Sequence, residues 1–478
     1  MINKQLIYKA SFIALAALLF TACATPELAR TEANRTVPES YNGSTDSTNM
    51  AAIHWREFFK DPNLVALIDT ALVRNQELNI TLQRLWMAQN EIMARKGEYL
   101  PSVGIGAGGG VDKKGRYTPL GASEATTEIE PGTEMPEPVP DMYLGAFANW
   151  ELDIWRRLRN SKDAAVQEYL ASIEGKNFLV TQLVAEIARS YYELLALDNQ
   201  LDILQQNIVV QKNALAVVRL QKTSGRVTEL AVRRFEAQVF KTTSLQFDIK
   251  QKIVEAENRI NFLLGRFPQP ITRSSSDFNE LVPASVFAGL PTQLLENRPD
   301  VKRAEYDLAA AELNVKVAKA NFYPKLSLAA GFGYNGYKAS LLFASPQSMM
   351  FGLAGELMAP LINRKAIKAE YYNANAKQVE AIYEYERTAL NAYIEVVNEL
   401  TRVENLSHSY SFKANRVEAL SASVDISNDL FKSARADYME VLLTQRDAME
   451  SKFELIETKM QQLNAVVNLY RALGGGWQ

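Results

Sequence analysis

The sequence predicts a mainly α-helical chain that carries a small membrane-type β part and is built as two tandem repeats. Three observations carry that prediction. The chain matches itself: Asn75 to Asn79 lies opposite Arg298 to Lys302, and Gly97 to Pro101 opposite Ala320 to Pro324, each 223 positions apart. Two stretches, 155–221 and 365–432, hold a helical pattern with no internal break. Four Gly-rich segments alternate with period two, two in each half.

The first residues read as an address. Lys4 and Lys9 precede a short apolar run, Ala10 to Phe20, and Thr21-Ala22 follow, which is the pattern of a secretory signal. The run is too short to span a bilayer as a helix. The only Cys comes directly after the small residues, which resembles a lipoprotein signal. That resemblance implies removal of residues 1–22 and acylation of Cys23. Ala24 lacks the Asp that holds many lipoproteins at the inner membrane. Several acyl chains, at about 0.8 kcal/mol per buried CH₂, anchor a protein stably. Residues 23–63 would then be an acylated linker segment.

The first repeat spans 64–265 and the second 293–474, with an inter-repeat segment at 266–292 and a tail at 475–478. Each starts with a helical stretch (64–98, then 293–321) and continues into a strand (102–110, then 326–335). A loop and a second strand follow (142–152, then 349–358). The long helix comes next, then a break at Thr223-Ser224-Gly225 or Ser433-Ala434-Arg435, and a return helix (229–264, then 438–473). In this later part the two halves match at a spacing of 209, as in Leu264-Gly265 against Leu473-Gly474. The spacing changes because Thr118 to Pro140 is a longer loop in the first half. Leu179, Leu183, Ile187, Tyr191 and Leu194-Leu195 recur at helical spacing, as do Leu420, Val424, Leu430 and Phe431, and both stripes read as core packing. At 1.5 Å per residue each long helix measures roughly 100 Å, and each flanking helix about half of that. Two short helices stacked end to end would match one long one, as in the wall of a tube.

The strands read as membrane strands. Leu326, Leu328, Ala330, Phe332 and Tyr334 share one face, and Ser327, Ala329, Gly331 and Gly333 the other. Leu144, Ala146, Ala148 and Trp150 likewise oppose Tyr143, Gly145, Asn149 and Glu151. An apolar face against lipid and a small or polar face inside is the pattern of a membrane barrel. Four strands cannot close a barrel, and an open edge in lipid leaves backbone groups unpaired. Several chains must share one barrel, of about 8, 12 or 16 strands for two, three or four copies.

Composition removes other classes. Hydrophobic residues at 47% and charged residues at 22% describe a folded protein among its 478 residues. A net charge of −3 with no dense basic block argues against nucleic acid as a partner. One Cys excludes an internal disulfide and a Cys-based metal site, and His54 and His408 stand far apart, so no metal or cofactor is expected. Catalytic groups do not converge in any constellation, which argues against an enzyme. The run Gly104 to Gly110 lacks the Lys-Ser/Thr and the helix that a phosphate loop needs. Glu124, Glu128, Glu130, Glu134 and Glu137 read as a solvated loop at the outer face rather than a cation site.

Ala288 to Val301, with Leu290-Pro291-Thr292 and Asn297-Arg298-Pro299-Asp300, closely resembles the outer-membrane efflux proteins of the TolC/OprM/NodT group. So do Ala320 to Leu328, Phe59 to Leu64, Trp150-Glu151-Leu152-Asp153 and the terminal Ala472 to Trp477. The resemblance runs from about residue 55 to the end. It implies a homotrimer with a 12-stranded barrel in the outer membrane and an α-helical barrel in the periplasm. It also implies passive conduction for a tripartite pump, in which a periplasmic adaptor and an inner-membrane transporter supply energy and choose the cargo. A type I protein-secretion channel shares this architecture. A lipid-anchored helical scaffold would account for the helices and Cys23 but leaves the four strands without purpose.

The same resemblance implies that the helix pair after the second turn constricts the duct. Tyr438 to Leu443 corresponds to a Tyr-Leu-x-Val-Leu-Asp-like stretch of the family. Here Leu443 stands where many members have Asp, and Ala231 departs in the same way in the first half. Met439 and Leu443 are four apart and share a helical face, which favours an apolar constriction over a ring of carboxylates. Arg435, Asp437 and Glu440 would add ion pairs or adaptor contacts nearby.

Overall fold

A computed structural model describes residues 25–28, 32–41, 46–275, 278–281, 286–433 and 435–477. The longer helices are α1 (Pro62–Arg74), α2 (Gln76–Tyr99), α3 (Arg157–Thr223), α4 (Glu229–Leu263), α5 (Pro299–Ala320), α6 (Lys365–Lys432) and α7 (Tyr438–Ala472). The strands are β1 (Ser102–Asp112), β2 (Glu128–Glu130), β3 (Thr133–Glu134), β4 (Val139–Leu152), β5 (Lys325–Gly336) and β6 (Met349–Met358). The chain is mostly helical, and α3 and α6 run 67 and 68 residues without interruption. Among the described residues no helix is long and apolar enough to cross a membrane.

The leading helices depart from expectation, because each is broken once. In the first half the break falls at Asn75. Its Oδ1 accepts the Leu78 N–H at 2.9 Å, which caps the restarted helix, and its Nδ2 donates to the Leu263 carbonyl at 2.8 Å. In the second half a short helix, Thr292–Asn297, ends before Arg298, and Pro299 opens α5, where its missing N–H costs nothing. Arg298 donates from Nη1 to the Ala472 carbonyl at 2.8 Å. Each break residue therefore satisfies a carbonyl at the last turn of a return helix, a group the helix cannot satisfy itself.

Segment 118–140 is also more ordered than the loop expected. Thr118 caps a helix, Pro119–Glu124, by accepting the Gly121 N–H at 3.2 Å. β2 and β3 form a small hairpin around Gly132, whose φ of 77° suits a residue without Cβ. β4 then begins at Val139, a little before the expected start.

The chain divides into two compact units. One is built from 87–169 and 306–382 together with 25–28 and Glu32, and holds an antiparallel sheet in the order β1-β4-β5-β6. β1 and β6 are its edges, each with one free side among the described residues. The other unit comprises 33–86, 170–305 and 383–478 and contains the main core. Leu183, Ile187, Tyr191, Leu194 and Leu195 are buried there, as their spacing suggested. The stripe on the last part of α6 behaves otherwise. Phe431 packs against a small cluster of Leu215, Val218 and Phe235, while Leu430, about 100° away around the helix, stays 39% exposed.

Candidate functional site

Register decides what each face of the sheet presents. Gly106 lies opposite Gly145, Gly108 opposite Tyr143, Phe147 opposite Gly331 and Gly145 opposite Gly333. Directly opposed residues share a face, so one side carries these glycines with Asn149, Glu151 and Ser327. The other side carries Ile105, Leu144, Trp150, Leu328, Phe332, Phe351 and Leu353, and much of it is bare: Ile105 is 84% exposed and Phe351 80%. A bare apolar face of this extent marks a surface made for something other than water.

Sequence reasoning left Phe147 unplaced and gave Tyr143 no role. Both rings lie on the small face, edge to face at 6.0 Å. A Cβ built on Gly108 would sit 2.6 Å from the Tyr143 ring, and Cβ atoms on Gly106 and Gly331 would sit 3.3 and 3.1 Å from the Phe147 ring. The glycines leave shallow seats in which the two rings lie down. The signal was in the sequence: positions 143 and 147 are an even number apart, as are Gly104, Gly106 and Gly108.

At the turn between α3 and α4, Gly225 takes φ 70°, and the Arg226 N–H reaches back to the Gln221 carbonyl at 3.0 Å. Near it, Tyr438 and Leu442 pack on the cluster of Leu215, Val218 and Phe235, and Val441 is buried. The start of α7 thus spends those residues on packing and leaves the adjoining face open. Leu443 is 42% exposed, and the half-buried Met439 accepts a hydrogen bond at Sδ from Arg234 Nη1 at 2.9 Å. Arg234, which sequence reasoning did not single out, brings a cation to this face. Arg435, Asp437 and Glu440 are exposed, and Asp437 precedes α7 without a side-chain cap bond. Ala434 and Cys23 lie outside the described residues.

Two carboxylates of the acidic segment meet surface cations while staying about 40% exposed. Glu137 stands 3.7 Å from Lys113 and 3.5 Å from Arg116, and Glu130 pairs with Lys338 and accepts the Tyr337 hydroxyl. No group of three or more metal-ligating side chains occurs among the described residues.

In the unit with the main core, Arg298 is the centre of a polar network. It pairs with Asp300 at 2.7 Å and Glu395 at 2.8 Å, and Glu395 also pairs with Arg471. Glu399, on the same helix as Glu395, accepts from Arg402 at 3.1 Å, while its second oxygen is buried without a partner. Burial pushes the Glu399 carboxyl above its ordinary value, against the opposing pull of Arg402 and Arg471.

The model of the outer membrane efflux protein family matches residues 67–266 and 290–475. The chain belongs to that family. It is an efflux channel of the outer membrane. It is 27% identical over 436 residues to the pyoverdine export outer membrane protein OpmQ of Pseudomonas aeruginosa, covering 91% of this chain and 90% of that one. It is 26% identical over 447 residues to the probable outer membrane lipoprotein SilC of Salmonella typhimurium, covering 92% and 93%. Among solved structures, a membrane protein from Pseudomonas aeruginosa superposes with a TM-score of 0.83 at 25% identity, covering 94% of this chain and 99% of that one. The open state of the Neisseria gonorrhoeae MtrE outer membrane channel superposes with a TM-score of 0.82 at 22% identity, covering 95% and 99%.

Proposed function

We propose that three copies of this chain close one barrel of about 12 strands, and that the small face of the sheet lines the duct. The observation that carries this reading is the sheet itself. Its apolar face is bare, its opposite face is glycine-lined, and both edges are free, so lipid, cargo and neighbouring chains each have a surface. The duct is passive: a periplasmic adaptor and an inner-membrane transporter deliver small-molecule cargo and supply the energy. The two halves act as repeats of one plan. Support comes from Asn75 and Arg298, which are 223 positions apart and bond to carbonyls 209 apart, at Leu263 and Ala472.

Cys23 anchors the mature chain through acyl groups, a reading supported by the small residues before it and by the likeness to a probable lipoprotein. At the turn, Met439 and Leu443 form an apolar constriction beside Arg234, with Arg435, Asp437 and Glu440 free to meet the adaptor. The test of the channel is conductance of the purified oligomer in planar bilayers. Discrete openings are expected; a sealed bilayer with well-folded oligomer would favour a scaffold. Incorporation of labelled palmitate that persists in Cys23→Ser would refute the anchor.

A further inference from the structure

Both connections from strand to long helix are built alike. After β4, Ile154 and Trp155 are exposed, at 53% and 46%, and Arg156 takes φ 59°. After β6, Leu361 and Ile362 are exposed, at 50% and 91%, and Asn363 takes φ 54°. No other non-glycine residue among the described ones has positive φ. That conformation is unfavourable for a residue with a Cβ, so its presence at both turns marks a geometry the fold enforces. Each turn holds out an apolar pair at the helix end of the sheet.

Beside the first turn lies a cleft of about 500 Å³ lined by Trp155, Arg156, Asn160, Lys316, Lys319 and Tyr323, with Asp163 as its carboxylate. Asp163 is already shared between Lys162 at 2.8 Å and Arg156 at 4.0 Å. Lys316 and Lys319 are exposed and make no ion pair among the described residues. The Trp155 ring is fixed: it stacks on Tyr323 at 4.8 Å, and its indole N–H donates to the Pro324 carbonyl at 2.8 Å.

We propose that this cleft seats the phosphate of an anionic glycerophospholipid in the periplasmic leaflet, with Ile154 and Trp155 entering the acyl region beside it. The inference rests on the reading of the sheet as the membrane part. Three features select this ligand over a dissolved anion. The cations outnumber the one shared carboxylate, which complements a phosphate. An aromatic ring next to long basic side chains is the arrangement favoured at a membrane–water interface. The cleft also begins at Trp155, three residues beyond the end of β4, whose apolar face is read above as meeting lipid. At the opposite ends of the strands the cations Lys113, Lys114, Arg116 and Lys338 are each paired with a carboxylate, at Glu137, Asp112, Glu137 and Glu130.

The test uses the full chain reconstituted into nanodiscs of phosphatidylcholine and phosphatidylglycerol in equal parts, then extracted in mild detergent. Lipid retained by the oligomer is quantified by mass spectrometry. Wild type should retain phosphatidylglycerol over phosphatidylcholine by about tenfold, and Lys316→Gln with Lys319→Gln should bring the ratio near parity. Lys316→Arg with Lys319→Arg should keep the enrichment, as should Lys113→Gln with Lys114→Gln at the other strand ends. Full enrichment in the Lys316/Lys319 glutamine variant, or equal loss in the Lys113/Lys114 control, would overturn the proposal. So would displacement of the lipid by millimolar inorganic phosphate, which would make the cleft a site for the free ion. Conductance is recorded on the same samples: a conducting wild type without lipid preference refutes the lipid seat alone, whereas a non-conducting one refutes the channel.

Discussion

Tyr143 lies across Gly108, so closely that a single methyl group on the glycine would come within 2.6 Å of the ring. The two residues are register partners on adjacent strands, and the ring occupies the space that the missing side chain leaves. Phe147 repeats the arrangement over Gly106 and Gly331. Glycine weakens a strand unless something packs on it, and an aromatic neighbour supplies that contact. If this face lines the duct, as proposed above, rings laid flat stiffen the wall without standing into the passage.

Gly108→Ala should therefore lift Tyr143 off the wall. Overpacking of this kind costs about 1–3 kcal/mol if the ring cannot move; if it moves, single-channel conductance falls. Gly104→Ala, on the same strand with nothing within 4 Å of its added methyl, is the control and should leave both oligomer stability and conductance unchanged. Equal effects from the two substitutions would contradict the seating of the ring.

Gly265 and Gly474 end the two return helices at φ 65° and 93°, and a Cβ on either would meet backbone: the Arg74 carbonyl oxygen at 2.4 Å and the Asn297 carbonyl oxygen at 2.6 Å. Backbone cannot yield as a flexible side chain can. Alanine at either position should cost about 2–4 kcal/mol, from conformational strain plus the clash. Gly225→Ala, with φ 70° and open space, should cost only about 1 kcal/mol. Thermal melting of the three purified variants checks the ranking.

Glu399 predicts a pH dependence. Its side chain is 12% exposed, and burial raises its folded-state proton affinity above that of an unfolded carboxyl. Between the two values the folded chain binds more protons, so stability falls as pH rises through the folded value and is greatest below the unfolded one. Glu399→Gln should remove this part of the pH profile and raise the melting temperature at pH above neutrality. A profile of unchanged slope in the variant would show that another group carries the dependence.

For the constriction, serine at both Met439 and Leu443 should raise conductance roughly twofold or more, because a wetted ring no longer closes by expelling water. The effect should respond little to salt. Arg234→Ala, which removes the hydrogen bond to Met439 Sδ, separates the alternatives. A larger opening from Arg234→Ala, with strong salt dependence, would place the gate in charges.

What the sequence by itself determined was the kind and order of elements. Periodicity is a local property, so α3, α6 and the alternating strands were legible from residues a few positions apart, and the matching halves announced the family through motifs such as Leu290-Pro291-Thr292. Asn75 and Pro299 carry local signals for the breaks in the leading helices, but only the tertiary structure showed that Asn75 and Arg298 also bond carbonyls 188 and 174 residues away. It also decided that Tyr438 and Leu442 are spent on packing while Leu443 stays open, a difference of one residue around a helix whose neighbours no local pattern names. The seats of Tyr143 and Phe147 were half legible. Their shared face follows from counting by two, but the glycines beneath them come from register with another strand, and register is a contact between distant segments of chain.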